Sequence, residues 1–289
     1  MNYRHQFHAG NFADVMKHGL LVQLVRSLQK KEKGFLYLDT HAGRGWYDLA
    51  ASARGDSLAR KPEWPEGIGR LWQREDLNPA LAEYLSLVRQ FDRERGNSAA
   101  EARFYPGSPT LMRMLARFQD RLALCEKHPE EQAALAEEFR FAPNTTVATV
   151  DGYVALRAML PPLERRALIL IDPPFEAPDE FANIATGLRD GLARLSGGVF
   201  AVWYPLTERA RIDAFFGELR RLDLPPTLAL ELFVADIYSP LRMRGCGLLV
   251  LNPPWRFETV AHGILQQLRG LLEQGRGAEA RAEWIVPEK

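Results

Sequence analysis

The sequence predicts an open α/β fold: a seven-stranded, mostly parallel sheet with helices on both faces and a small inserted helical subdomain. Three observations carry that expectation. Apolar runs of strand length alternate with helical stretches, the pattern of strands buried on both faces. Four successive runs each end in a carboxylate. The first two of these carboxylates lie roughly 90 residues apart, about three times the length one βαβ unit needs.

Taken in order, Asn11 to Gln29 is amphipathic, with Val15, Leu20, Val22, Leu24, Val25 and Leu28 as the face that packs on the sheet. Phe35 to Leu38 is the first strand and ends in Asp39. Residues 46 to 66 are rich in Gly, Pro and charge. Residues 68 to 98 carry helical spacing at Ile68, Leu71 and Trp72, and at Leu81, Tyr84, Leu85, Val88 and Phe91. A long loop with no structure of its own is unusual in a compact domain, so 46–103 is expected as an inserted helical subdomain. Residues 1–45 and 104–289 then form the main domain. Leu122 to Cys125 ends in Glu126, Val147 to Val150 in Asp151, and Ala167 to Ile171 in Asp172. Gly198 to Trp203, Leu228 to Val234 and Gly247 to Leu251 complete the seven strands. In open α/β sheets the ligand crevice lies outside the carboxyl ends of the strands, so the four carboxylates are expected to converge there.

Composition narrows the function class. The 289 residues are 46% hydrophobic and hold 37 Lys plus Arg against 37 Asp plus Glu, which excludes a disordered chain. Cys125 and Cys246 are too few for a disulfide framework or a thiolate cluster, and each follows an apolar run where a buried free thiol is expected. No apolar stretch approaches the ~20 residues that cross a bilayer, and residues 1 to 20 mix His, Arg, Asp and Lys. A soluble protein of a reducing cytoplasm is expected. Zero net charge argues against a nucleic-acid partner, since such proteins are usually basic.

The chemistry concentrates at the strand ends. Asp39-Thr40-His41-Ala42-Gly43-Arg44-Gly45 lets backbone approach a ligand but lacks the full dinucleotide fingerprint. Glu126 can accept two ribose hydroxyls, and Asp151-Gly152 can meet an adenine edge. Asp172-Pro173-Pro174-Phe175 is the most specific segment. Two consecutive prolines withhold two N–H groups and stop the strand, leaving a carboxylate, a free carbonyl and an aromatic face together. An exocyclic amine on a planar base needs those three things: Asp172 and the Pro173 carbonyl accept its N–H bonds and Phe175 stacks on the ring. Asn252-Pro253-Pro254-Trp255 offers a similar set. It closes the last strand, expected to be antiparallel, and so falls at the opposite edge as a structural segment. His18 and His41 read as neutral hydrogen-bonding residues of a ligand pocket. No His pair at metal-ligand spacing and no completing cysteine occurs, so no metal is expected.

These residues resemble the bacterial 23S rRNA adenine-N6 methyltransferases, which use S-adenosylmethionine. The resemblance runs from Tyr3-Arg4-His5-Gln6-Phe7-His8-Ala9-Gly10-Asn11 through Tyr37-Leu38-Asp39-Thr40-His41-Ala42-Gly43, Tyr105-Pro106-Gly107-Ser108-Pro109, Asp172-Pro173-Pro174 and Trp203-Tyr204-Pro205 to Trp284-Ile285-Val286-Pro287. It thus spans nearly the whole chain. It implies a Rossmann-like class I methyltransferase fold and cofactor contacts at His18, His41, Ser108, Glu126, Asp151, Gly152 and Asp172. It further implies Asp172 as the catalytic residue, with Pro173 and Phe175 beside it, and RNA contact at Tyr3 with His5 and Lys17 in the same segment. Phe175 stands where many relatives have Tyr, which keeps stacking and removes a hydroxyl.

The N-terminal segment offers a route for RNA despite the neutral total. Arg4, Lys17, Arg26, Lys30, Lys31 and Lys33 oppose only Asp14 and Glu32 in residues 1–34, a local charge of +4. Tyr3, Phe7 and Phe12 interleave aromatic faces with these cations, as in sites that hold unpaired bases. Arg242, Arg244 and Arg256 form a second, weaker basic cluster. The expected partner is 23S rRNA, naked or early in assembly, met by a monomer. Competing readings are methylation of DNA adenine N6, rRNA guanine N2 or protein glutamine, a nicotinamide-dependent oxidoreductase, and a non-catalytic RNA-binding scaffold.

Overall fold

A computed structural model describes residues 7–52 and 61–288. Asn11 caps the first helix, α1 (Phe12–Gln29), its side-chain oxygen accepting the N–H groups of Ala13 and Asp14, each at 3.0 Å. The chain then alternates through β1 (Leu36–Asp39), β2 (Trp46–Asp48), α2 (Leu49–Ser52), a 3-10 turn at Trp64–Glu66, α3 (Ile68–Leu71), α4 (Pro79–Glu94), β3 (Phe104–Pro106) and α5 (Ser108–Leu115). The second half runs β4 (Arg121–Cys125), α6 (Pro129–Glu138), β5 (Thr145–Ala148), α7 (Gly152–Met159), β6 (Ala167–Ile171), α8 (Glu180–Arg194), β7 (Val199–Pro205) and α9 (Arg209–Leu219). β8 (Thr227–Phe233), β9 (Gly245–Leu251), α10 (Phe257–Leu271) and β10 (Glu279–Val286) close the fold.

The main sheet has eight strands in the order β10-β8-β9-β7-β6-β1-β4-β5. β1 pairs in parallel with both β4 and β6, and β5 and β7 extend the parallel set outward. β9 is antiparallel to β7 and β8, as expected for the last of the seven. The eighth strand is β10, antiparallel to β8. Its alternation of charged and apolar residues (Glu279, Arg281 and Glu283 with Ala280, Ala282 and Trp284) is the pattern of a half-exposed edge, whereas the seven expected strands read as apolar runs. A separate ribbon pairs β2 with β3.

Two buried clusters cover the two faces of the sheet. α1 lies in the larger one and is buried nearly all round, from Phe12 through Leu28. The expected one-sided face fails because α4, α5 and α10 pack around it as well as the sheet. Truncating Leu20 or Leu24, both fully buried, removes contacts worth about 2–5 kcal/mol each. Segment 46–103 contributes through α4, whose Leu81, Tyr84, Leu85 and Val88 join the same cluster as α1. Asn78 caps α4, and Trp46, Phe91 and Arg95 stack where the segment meets the ribbon. Cys125 and Cys246 are free and buried. No described helix is long and apolar enough to cross a membrane.

Candidate active site

The parallel pairing aligns the carboxyl ends of β1, β4 and β6. Asp39, Glu126 and Asp172 therefore stand at one edge. The two-residue period of β1 puts Tyr37 and Asp39 on one face, and the Tyr37 hydroxyl donates to Asp39 Oδ2 at 2.8 Å. Ser108 Oγ, at the start of α5, donates to the same oxygen at 2.7 Å. Burial pushes the Asp39 carboxyl up to about 6, against the pull of Ser108 and Tyr37, and the charge of Asp172 adds to the rise.

Glu126 is half-buried and fixed from both sides. Its Oε2 accepts the N–H of Gly43 at 2.8 Å and its Oε1 that of His128 at 2.7 Å. Each oxygen keeps a second lone pair for a ligand hydroxyl. Gly43 makes this possible at φ +61, a conformation that strains any side chain. His128 Nδ1 is buried with no hydrogen-bond partner among the described residues.

β5 stops at Ala148, so Asp151 serves first as the cap of α7, its Oδ1 accepting Tyr153 N–H at 3.0 Å. Lys127 reaches its other oxygen at 3.1 Å. Gly152 brings α7 against the loop after β1: a Cβ there would lie 2.4 Å from the Thr40 carbonyl oxygen. His41 Nδ1 is 2.8 Å from Thr40 Oγ1, and its ring meets Tyr153 edge-on at 5.6 Å. Burial pulls the His41 imidazole down to about 4, against the opposing charges of Asp172 and Asp151, so it is neutral at pH 7.

Asp172 ends β6 beside the switch point of the strand order. Lys17 Nζ, on α1, donates to its Oδ2 at 2.6 Å and to Asp14 Oδ1 at 2.8 Å. Burial works against the charge on Lys17, but the two carboxylates outweigh it and hold the ammonium well above its usual range. Asp172 Oδ1 makes no hydrogen bond among the described residues. Pro173 is buried. Phe175 sits at φ 51 with its ring edge-on to Phe181 at 5.0 Å and to Trp203 at 5.8 Å, which fixes the ring's orientation.

The remaining expected residues divide. His18 is 2% exposed, and its Nδ1 is 2.8 Å from the Tyr105 hydroxyl, itself 2.8 Å from that of Tyr84. Tyr3 and His5 lie outside the described residues. Lys17, expected as an RNA contact, is corrected to the partner of Asp172, because at 5% exposure its ammonium is enclosed by two carboxylates. Phe7 and Phe12, expected as stacking faces, are 3% and 5% exposed and belong to the interior. The basic run is corrected too. Lys30, Lys31 and Lys33 precede β1 at the amino edge, where Arg166 bonds the Leu28 and Lys33 carbonyls, so they face away from Asp172. Arg242 and Arg244 precede β9 at the carboxyl edge, whereas Arg256 follows it at the opposite edge. Asn252 also lies there, bonding the Ser196 and Gly198 carbonyls at 2.8 Å each.

Sequence reasoning missed three partners: Lys17 for Asp172, Asp14 for Lys17, and Tyr37 for Asp39. The last two had a signal, the helical i,i+3 spacing and the period of the strand; the first had none. Together the edge presents an acceptor for a diol (Glu126) and an acceptor pair beside an aromatic ring for a planar amine, with Asp39 enclosed behind them at 0% exposure. Among the described residues no group of three or more His, Cys, Asp or Glu is placed to hold a metal ion.

A family model described as "Ribosomal RNA large subunit methyltransferase D, RlmJ" matches residues 32–286. The protein named "Ribosomal RNA large subunit methyltransferase J" of Escherichia coli strain K12 is 39% identical over 288 residues, covering 100% of both chains. Its namesake in Haemophilus influenzae is 38% identical over 289 residues, again covering 100% of both. A Legionella pneumophila protein of known crystal structure is 35% identical and superposes with a TM-score of 0.85 over 96% of this chain and 98% of that one.

Proposed function

The chain belongs to the ribosomal RNA large-subunit methyltransferase family of that model, and from this premise we propose that it is the S-adenosylmethionine-dependent enzyme that methylates N6 of a specific adenine in 23S rRNA. The observation that supports the choice of an amine is Asp172 at the end of β6. One of its oxygens is held by Lys17 and the other makes no hydrogen bond among the described residues, next to Pro173 and an oriented Phe175.

The donor set fits the cofactor. The Glu126 carboxylate, pinned by two backbone N–H groups, suits a ribose diol. The negative charge of the enclosed Asp39 behind the site favours a nearby sulfonium, and Asp151 with Gly152 suits the adenine end. Bound S-adenosylmethionine supplies a methyl already activated on a positive sulfur.

The residues of this chain do the positioning. Adenine N6 is a poor nucleophile because its lone pair is delocalised into the ring. Asp172 Oδ1 and the Pro173 carbonyl accept its two N–H bonds, which turns the lone pair out of the ring plane. Lys17 fixes the rotation of the carboxylate by holding Oδ2 and, being held in its charged form by two carboxylates, does not serve as the base. Asp172 stabilises the positive charge that grows on N6 and takes the proton, or passes it to water. Phe175 stacks on the base. Its rigid setting against Phe181 and Trp203 means the ring costs little entropy to use.

The same reading places the protein in the cytoplasm as a monomer acting on protein-free or early-assembly rRNA, with Tyr3 and His5 touching the RNA. Segment 46–103 is an insertion that braces α1, and thereby Lys17, through α4. Incubation with labelled S-adenosylmethionine and separate RNA, DNA and protein fractions tests the whole. Label in 23S rRNA at N6-methyladenine is the expected result, and label confined to DNA or protein would overturn it.

A further inference from the structure

Ile237 and Tyr238 are 72% and 87% exposed, in the loop 234–244 between β8 and β9. An isolated exposed apolar residue needs no explanation, but this pair is held out by its surroundings. The Tyr238 N–H donates to Asp236 Oδ1 at 2.9 Å, and the Asp236 N–H to the Arg276 carbonyl at 2.7 Å. Arg244 donates to the Ile237 carbonyl at 2.8 Å and to the Thr207 carbonyl at 3.2 Å, tying the loop to the end of β7. Leu241 and Met243 pack against the larger core cluster. The tip is thus anchored from beneath while its ring faces solvent.

The position of the loop gives that ring a context. β8 runs in the same direction as β7 because both are antiparallel to β9. Loop 234–244 therefore leaves the sheet at the edge where Asp172 stands. Cys246, two residues past Arg244, has its Sγ 3.4 Å from Met16 Sδ, and the next residue of α1 is Lys17, the partner of Asp172. The loop rims the same mouth. Arg242 is exposed and makes no ion pair among the described residues, and with Arg244 it outweighs Asp236, so the rim is basic.

We propose that loop 234–244 seats the RNA strand beside the target adenine, with Tyr238 stacking on an unpaired neighbouring base and Arg242 meeting its phosphate. The inference rests on the rRNA methyltransferase reading above and deepens it. An adenine drawn out of its stack exposes the faces of its neighbours, and a fixed aromatic ring with a nearby cation is the pairing that holds such bases without reading their identity. Positive charge and continuity with the acceptor site favour RNA over a protein partner at this tip.

Steady-state methylation of protein-free 23S rRNA by the full chain and by Tyr238→Ala, Tyr238→Phe and Arg242→Gln tests this, alongside calorimetric affinity for S-adenosylhomocysteine. Tyr238→Ala should raise KM for RNA roughly 5- to 150-fold, the range of lost base–aromatic stacking, with affinity for S-adenosylhomocysteine unchanged. Tyr238→Phe should restore KM to within about twofold, because the ring and not the hydroxyl stacks. Arg242→Gln should flatten the slope of log affinity against log salt by about one phosphate contact. A wild-type KM in Tyr238→Ala, or a Phe variant as impaired as the Ala variant, overturns the inference while leaving the rRNA reading intact. A wild-type protein that leaves rRNA unmethylated removes both.

Discussion

Lys17 Nζ lies 2.6 Å from Asp172 Oδ2 across 155 positions of sequence. The ammonium thus occupies one face of the carboxylate assigned to the target amine, and it is shared with Asp14 at 2.8 Å. A helix that precedes the sheet in the chain thereby sets the rotation of an acceptor at the end of the sixth strand.

Replacing Lys17 by Met leaves two carboxylates at a nearly closed site with no cation between them. Removing one partner of a buried pair costs about 3–5 kcal/mol, so a clear drop in denaturant midpoint is expected. Methyl transfer should fall more than binding of S-adenosylhomocysteine. Single-turnover rates beside calorimetry separate the two, and a variant with full activity and unchanged stability would sink the positioning role.

Asp172→Ala keeps Lys17 paired with Asp14 and should therefore fold. Its turnover should drop by roughly 10² or more, the cost of removing a preorganised acceptor, while S-adenosylhomocysteine still binds. Near-normal turnover would remove Asp172 from the mechanism.

Stability against pH carries two opposed contributions. Asp39 titrates at about 6 in the fold, above its ordinary value of 3.8, because of burial. The folded state then holds the extra proton between about pH 4 and 6, so this contribution falls as pH rises through that window. His41 titrates at about 4 against an ordinary 6.5. Here the unfolded chain holds the extra proton, so the contribution rises between about pH 4 and 6.5. Relative to the native chain, Asp39→Asn should make urea midpoints climb more steeply from pH 4.5 to 6.5, and His41→Gln should make them climb less or fall. Parallel curves for all three proteins would contradict both assignments.

Gly152→Ala places a Cβ 2.4 Å from the Thr40 carbonyl oxygen. Both sides of that contact are backbone, so relief requires α7 to move and Asp151 to move with it. A loss of about 1–3 kcal/mol in stability is expected, with weaker binding of S-adenosylhomocysteine. An unchanged dissociation constant would show that the tight approach of α7 does not matter to the cofactor.

Much of the frame was legible in residue order. The four carboxylates stand after apolar runs, and parallel pairing through β1 brings Asp39, Glu126 and Asp172 to one edge. The antiparallel β9 sends Asn252 to the other edge. β10 was not legible as a strand because a half-exposed edge strand lacks an apolar run. Phe7 and Phe12 were misread because aromatic rings near cations look alike in sequence whether they face solvent or the interior.

Residue order was enough for the strand ends, the place of Asp172-Pro173-Pro174-Phe175 at the carboxyl edge and the separation of the two proline motifs, since each depends on local conformation and strand direction. The tertiary structure alone decided which cation meets Asp172 and where the basic residues face. α1 is 18 residues long, about 27 Å, so a charge excess summed over residues 1–34 mixes one end of the helix with the other. Lys17 was spent on two carboxylates, and Lys30, Lys31 and Lys33 were carried to the far edge. Periodicity reports which face a residue shares with its neighbours in the chain; a contact across 155 positions exists only once the helix has packed on the sheet.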